Sequence, residues 1–122
     1  KNSSIEINNY NHSRSFCYID EAVVQMLKLT FSKISNQAFN IGNDKNLIKI
    51  IELAKMIKKL TNRPDIKIVK GEFVDNSPKK RLPSLRKIKS LFKIKIKKNL
   101  YRRCLDIVIW NKKKIYEYSK NS

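Results

Sequence analysis

Glycine is nearly missing from this sequence: Gly42 and Gly71 are the two in 122 residues. So few exclude a G-x-x-G-x-x-G turn, whose bare backbone would cradle a dinucleotide pyrophosphate. Cysteine is as scarce. Cys17 and Cys104 are too few for a disulfide framework and read as free thiols in a reducing compartment, so a cytoplasmic location is expected. One histidine, His12, and no paired-cysteine spacing argue against zinc, and no metal is expected. No apolar run reaches membrane-spanning length, and no basic, apolar, small-residue succession marks a signal peptide. Acidic residues are also short: 10 Asp and Glu stand against 28 Lys and Arg, a formal net charge of +18.

That charge would ordinarily point to a polyanion partner. Yet Lys, Asn and Ile together make up roughly two-fifths of the chain, far above common usage. AT-rich coding DNA favours all three, so drift in composition can generate the charge without selection for nucleic acid. Arginine, which recognises phosphate and guanine bidentately, is the scarce cation. The length allows one domain with a modest core.

Residues 1–13 are polar, with Ile5 and Ile7 alternating as in a short strand. Val23, Met26, Leu27 and Thr30 follow helical spacing, which predicts a helix over about 20–33 with Asp20 as N-cap. Ala38-Phe39-Asn40-Ile41 reads as a short buried strand, stopped at Gly42-Asn43-Asp44. A second helix is predicted over about 48–61, its apolar face so wide that it should lie between two layers. Asn62-Arg63-Pro64 breaks the chain, and Ile66-Lys67-Ile68-Val69 alternates as a strand. A loop over 71–84 precedes a basic helix marked by Leu85, Ile88, Leu91 and Phe92. The lysine-alternating piece Lys93 to Lys98 leads into a last helix over about 100–116, with Leu105, Ile109 and Trp110 on one face. The order strand, helix, strand, helix, strand, loop, helix, helix is α/β without internal repeats.

The run Arg14-Ser15-Phe16-Cys17-Tyr18-Ile19-Asp20-Glu21-Ala22-Val23 carries more information than any other. It resembles the R-x-F-x-Y-[IV]-[DE]-[DE]-x-[VI] signature of the NAD-dependent epimerase/dehydratase family, the extended short-chain dehydrogenases acting on nucleotide sugars. Phe39-Asn40-Ile41-Gly42-Asn43 is similar to that family's [YF]-N-[IV]-G-[NS] turn, and Ile50-Ile51-Glu52-Leu53-Ala54 to its I-x-E-L-A helix. Lys80-Arg81-Leu82-Pro83-Ser84-Leu85-Arg86-Lys87 resembles R-x-P-D-[IL]-x-K, and the likeness runs in consistent order over about residues 5–112. Within the family the phrase Arg-Ser-Phe-Cys-Tyr-Ile-Asp most resembles the UDP-glucuronate decarboxylase branch. There are departures. The family's glycines near the first strand fall on Asn8 and Tyr10, its aspartate is Ser84, and Lys49 replaces a capping threonine.

The resemblance implies that residues 1–122 are one fragment: the C-terminal, substrate-binding portion of an extended short-chain dehydrogenase of the NAD(P)-binding Rossmann-like superfamily. The N-terminal dinucleotide-binding half, which would carry NAD and the catalytic Y-x-x-x-K, is not in it. Tyr116 and Lys120 have that spacing but sit in the C-terminal tail, where the match reads as chance. The start at Lys1 rather than methionine agrees with a fragment. Such a piece has no catalytic residue of its own, and the parent enzyme would be a homodimer. In the family Arg14 and Arg81 would hold the sugar-nucleotide diphosphate, converging from opposite sides of a pocket. His12 and Tyr18 are further substrate-binding candidates. Asp20 and Glu21 look like a catalytic carboxylate pair, but at a helix start they serve capping and the helix dipole. Cys17 reads as small apolar filler. The helices at 20–33 and 48–61 would pack partly on the absent half, so the fragment should expose apolar surface and aggregate or partly unfold. Two other readings stay open. One is a small nucleic-acid-binding protein using Lys79-Lys80-Arg81, Lys93 to Lys98 and Lys112 to Lys114, with Tyr101 and Trp110 for stacking. The other is a basic helix over 85–92 on an anionic membrane surface.

Overall fold

A computed structural model describes residues 3–120, with side chains through 114. It is mixed α/β, built from five short strands and four helices among the described residues. The strands are β1 (Ser4–Ile7), β2 (Ser13–Ser15), β3 (Leu47–Lys49), β4 (Lys67–Lys70) and β5 (Lys80–Arg81). The helices are α1 (Ile19–Thr30), α2 (Ile50–Thr61), α3 (Arg86–Leu91) and α4 (Leu100–Lys120). β1 and β4 pair in parallel, and β3-β2-β5 form a second sheet, antiparallel on one side of β2 and parallel on the other.

Both middle helices form close to where their periodicity puts them. α1 ends at Thr30 rather than 33, where Phe31 and Ser32 close the last turn onto Leu27 and Leu29. Its N-cap is Tyr18, not Asp20. The cap lies two residues earlier, and Asp20 and Glu21 fall in the first turn, where their charge opposes the helix dipole. α2 ends on Asn62 in the left-handed conformation (φ 53, ψ 46), which asparagine tolerates better than other residues with a side chain. Lys49 stands at its N-cap with no capping bond from its side chain; Glu52 accepts the Lys49 backbone N–H at 3.3 Å, half of a capping box. Restoring the other half is expected to help. Lys49→Thr should stabilise the fold by about 1 kcal/mol, read as a higher urea midpoint at unchanged slope.

Two expectations are corrected. Residues 38–41 form no strand, because a strand needs a ladder partner and none lies beside them; the ladder is made instead by Leu47–Lys49, which the helical pattern had absorbed. α2 is not sandwiched between layers, for none of its residues is fully buried. α1 likewise buries only Gln25. Ile19, Val23, Met26 and Leu27 are exposed because no other described part of the chain covers them. The expected apolar surface is therefore present.

The core is small. Leu85 and Ile88 of the α3 region and Ile96 are buried together, with Leu29, Phe39, Phe92 and Ile94 packed around them. This explains the lysine-alternating piece: Ile94 and Ile96 turn inward while Lys93, Lys95 and Lys97 face water. A buried amide network joins the elements where apolar packing is thin. Gln25 donates to the Gly42 carbonyl (2.8 Å) and accepts the Gly42 N–H (3.0 Å). Asn43 donates to Glu21 and to the Lys97 carbonyl, and Asn99 bonds both Glu21 and Asn46.

Candidate functional site

β2 is the middle strand of its sheet, and Arg14 is its middle residue. Arg14 is the register partner of Ile48 on one side and of Arg81 on the other. Register partners point to the same face, and so do residues two apart along a strand. His12, Arg14 and Arg81 thus share one face, with Ser13 and Ser15 on the other, where the Ser15 hydroxyl donates to the Asn43 carbonyl. The two arginines do not converge from opposite sides, as expected from the resemblance. They stand side by side on adjacent parallel strands.

Their states differ. Arg14 is half-buried, and its guanidinium donates to the Ser13 carbonyl (2.9 Å), the Pro78 carbonyl (2.9 Å) and the Ser77 hydroxyl (3.0 Å). It therefore clasps the loop that precedes β5. Arg81 is exposed, and its side chain makes no hydrogen bond or ion pair among the described residues. None of the four ion pairs among those residues reaches either arginine, so the paired charges lack a carboxylate. Like charges carried on paired strands repel each other, and an anion held by both would remove that repulsion.

The clasped loop has a second anchor. Asn9 sits in the left-handed region (φ 49) between β1 and β2, and its side chain accepts the Val74 N–H at 2.9 Å. The resemblance set the lost glycines at Asn8 and Tyr10; the left-handed residue is the asparagine between them. Ser13 N–H to the Lys79 carbonyl (2.8 Å) completes the attachment.

His12 is 2% exposed, edge to face with Phe73, with ring centroids 5.3 Å apart. Burial first, then the charges of Arg14, Lys79 and Arg81, hold its pKa below 6.5. Tyr18 is placed elsewhere. The Arg103 guanidinium lies 4.4 Å over its ring, beside a cleft of about 550 Å³ that also takes in Cys17, Asp106 and Trp110. Cys17 is exposed and not a filler, since it follows the strand where the chain turns outward into α1. Partial burial and then Glu21 raise its thiol pKa, the opposite of an activated nucleophile. Glu21 accepts hydrogen bonds from Asn43 and Asn99, a structural role. The side chains of Tyr116 and Lys120 lie outside the described residues. No helix among the described residues is long and apolar enough to cross a membrane.

Sequence reasoning missed Gln25, Asn43, Asn46 and Asn99. Gln25, Asn43 and Asn46 are buried and serve backbone groups, while the half-buried Asn99 bonds the Glu21 and Asn46 side chains; helical or loop polarity alone reads as surface.

Fold and site together define a mixed α/β chain with two arginines in register on paired strands. No family model matches it. Among curated proteins, UDP-glucuronic acid decarboxylase 6 of Arabidopsis thaliana is 30% identical over 92 residues, covering 72% of this chain and 26% of that protein. The chain spans about a quarter of the length of that relative, and the likeness supports a distant, partial relationship to UDP-glucuronate decarboxylase-like proteins.

Proposed function

We infer that the chain is the substrate-binding part of an NAD-dependent nucleotide-sugar epimerase, dehydratase or decarboxylase, closest in kind to UDP-glucuronate decarboxylases. Arg14 and Arg81 hold the diphosphate. The observation that carries this reading is the register pairing of two arginines, from distant parts of the sequence, with no carboxylate ion-paired to either among the described residues. Planar guanidinium forks suit the oxygens of a diphosphate, which presents two bidentate edges. The partial likeness to a protein named for UDP-glucuronic acid adds independent support.

On this reading a separate dinucleotide-binding half supplies NAD and the catalytic tyrosine and lysine. Two glycines cannot build the NAD cradle, so no residue here fits that cofactor and no chemical step is assigned to this chain. The exposed stripe of Ile19, Val23, Met26 and Leu27 would pack on that half. The parent would act as a homodimer.

Titration calorimetry with UDP and with uridine tests the reading. UDP is expected to bind and uridine, which lacks the diphosphate, to bind at least tenfold more weakly, a difference of about 1.4 kcal/mol. Equal affinity for the two would overturn it. Salt-sensitive binding of single-stranded nucleic acid in place of UDP would favour the polyanion reading instead.

A further inference from the structure

Ile5 on β1 and Ile68 on β4 are register partners, so their side chains rise from one face of that two-stranded sheet. Ala54 and Ile57 of α2 are three apart and share a helical face. All four residues line one cleft of about 390 Å³ between sheet and helix. Apolar faces that meet in a protein interior ordinarily close to crystal-like density. These have not closed: Ile5 is 50% exposed and Ile57 40%. Lining groups without neighbours forgo dispersion contacts that an apolar occupant would restore. The volume lies in the range of small-molecule sites.

The edge of the cleft is cationic. Lys58, half-buried and next to Ile57, lines it together with Arg63. Both also line an adjoining cleft of about 490 Å³, to which Lys55 and Lys59 contribute. Lys55, Lys58 and Lys59 have the i, i+3, i+4 spacing that gathers side chains on one side of a helix. The Arg63 guanidinium is committed to both carboxylate oxygens of Asp65, at 2.7 and 2.8 Å. None of the four ion pairs among the described residues reaches the three lysines. Lys58 and Lys59 complement the carboxyl end of the α2 dipole, but that role needs no apolar cleft beside them. An aliphatic slot bordered by ammonium groups without a carboxylate matches a ligand with an apolar tail and an anionic head.

We propose that the two adjoining clefts form one site for a medium-chain fatty acid anion. Its tail lies between the β1–β4 sheet and α2, and its carboxylate meets Lys58 and the neighbouring lysines. No lining residue of either cleft lies on β2 or β5, so the site is separate from Arg14 and Arg81 and does not rest on the diphosphate reading.

Titration of the 122-residue chain with butanoate, hexanoate and octanoate, followed by isoleucine methyl resonances, tests the site. Each methylene buried should tighten binding about fourfold, so octanoate is expected to bind roughly a hundredfold more tightly than butanoate. The shifts should centre on Ile5, Ile57 and Ile68. Ala54→Phe fills the slot from within and should abolish octanoate binding while leaving UDP affinity unchanged. Lys58→Gln should weaken octanoate about tenfold but leave uncharged octanol as it is with wild type. That second variant, at the edge of the slot, decides the matter if the Ala54→Phe chain does not fold. Affinity independent of chain length, or octanoate binding untouched by Lys58→Gln, would overturn the proposal. So would octanol binding as tightly as octanoate, which would mark an apolar groove for the side chains of a partner. In each of these cases the UDP titration still stands or falls by itself.

Discussion

Gln25→Leu is expected to remove roughly 2–4 kcal/mol of stability, much of what a domain of this size has. Gln25 is 1% exposed and serves both backbone groups of Gly42. Leucine fills similar space but leaves a buried N–H and a buried carbonyl without partners, each costing about 1–3 kcal/mol. The consequence is not local. The neighbouring Asn43 carbonyl accepts the Ser15 hydroxyl behind β2, and a side chain at 42 would meet the Pro83 ring at 3.0 Å, just beyond β5. The clamp from α1 therefore supports the back of both arginine-bearing strands. Gln25→Glu separates its halves: one oxygen still accepts the Gly42 N–H, while the other opposes the Gly42 carbonyl. Urea unfolding should place both Gln25→Leu and Gln25→Glu well below wild type at unchanged slope. A Gln25→Leu loss under 0.5 kcal/mol would mean that water or a shifted backbone serves Gly42 instead.

The second large effect is a separation between the two arginines. Arg81→Ala removes an exposed side chain with no partner among the described residues, so stability should change by less than about 0.5 kcal/mol. UDP affinity should nevertheless fall about 10- to 100-fold, the loss of one charge-assisted contact of roughly 1.5–3 kcal/mol. Arg14→Ala should lose affinity to a similar extent and also about 2 kcal/mol of stability, because the Ser77 and Pro78 attachments go with it. Arg14→Lys keeps the charge but not the planar fork, and should rescue little of either. Calorimetry and denaturation on the same three variants decide the matter. Unchanged UDP affinity in Arg81→Ala would sink the diphosphate assignment. A fully stable Arg14→Ala would show that the loop is held by Asn9 and Ser13 alone.

What the sequence made legible followed physical signals of enough length. Twelve-residue helices repeat their apolar spacing often enough to be read, and α1 and α2 were. Leu47–Lys49 and Lys80–Arg81 are too short to show any alternation, and their pairing partners lie far away in the chain. Ala38–Ile41 shows the reverse: an apolar run with strand-like composition and no neighbour to pair with. Arg14 and Arg81 were picked out by the phrases around them, but their adjacency was not, since register across a parallel pair leaves no local trace. His12 could be named as a polar candidate. That its buried Nε2 has no hydrogen-bond partner among the described residues depends on where Arg14 and Phe73 come to rest, which only the folded chain decides. Gln25 sat within a helical stripe whose apolar residues drew the eye, although those residues face outward.

The parallel pairing of β2 with a two-residue β5 also limits how the intervening chain can change length. Side chains alternate along a strand with period two, so a slip of one residue would bring Lys80 or Leu82 opposite Arg14 and turn Arg81 to the far face. An insertion or deletion between Gly71 and Lys79 is harmless only if the loop absorbs it before Ser77 and Pro78 meet Arg14. The segment that looks freest to vary is therefore held to a count of residues by parity, and its tolerance should be greatest around Asp75 and Asn76, between its two anchors.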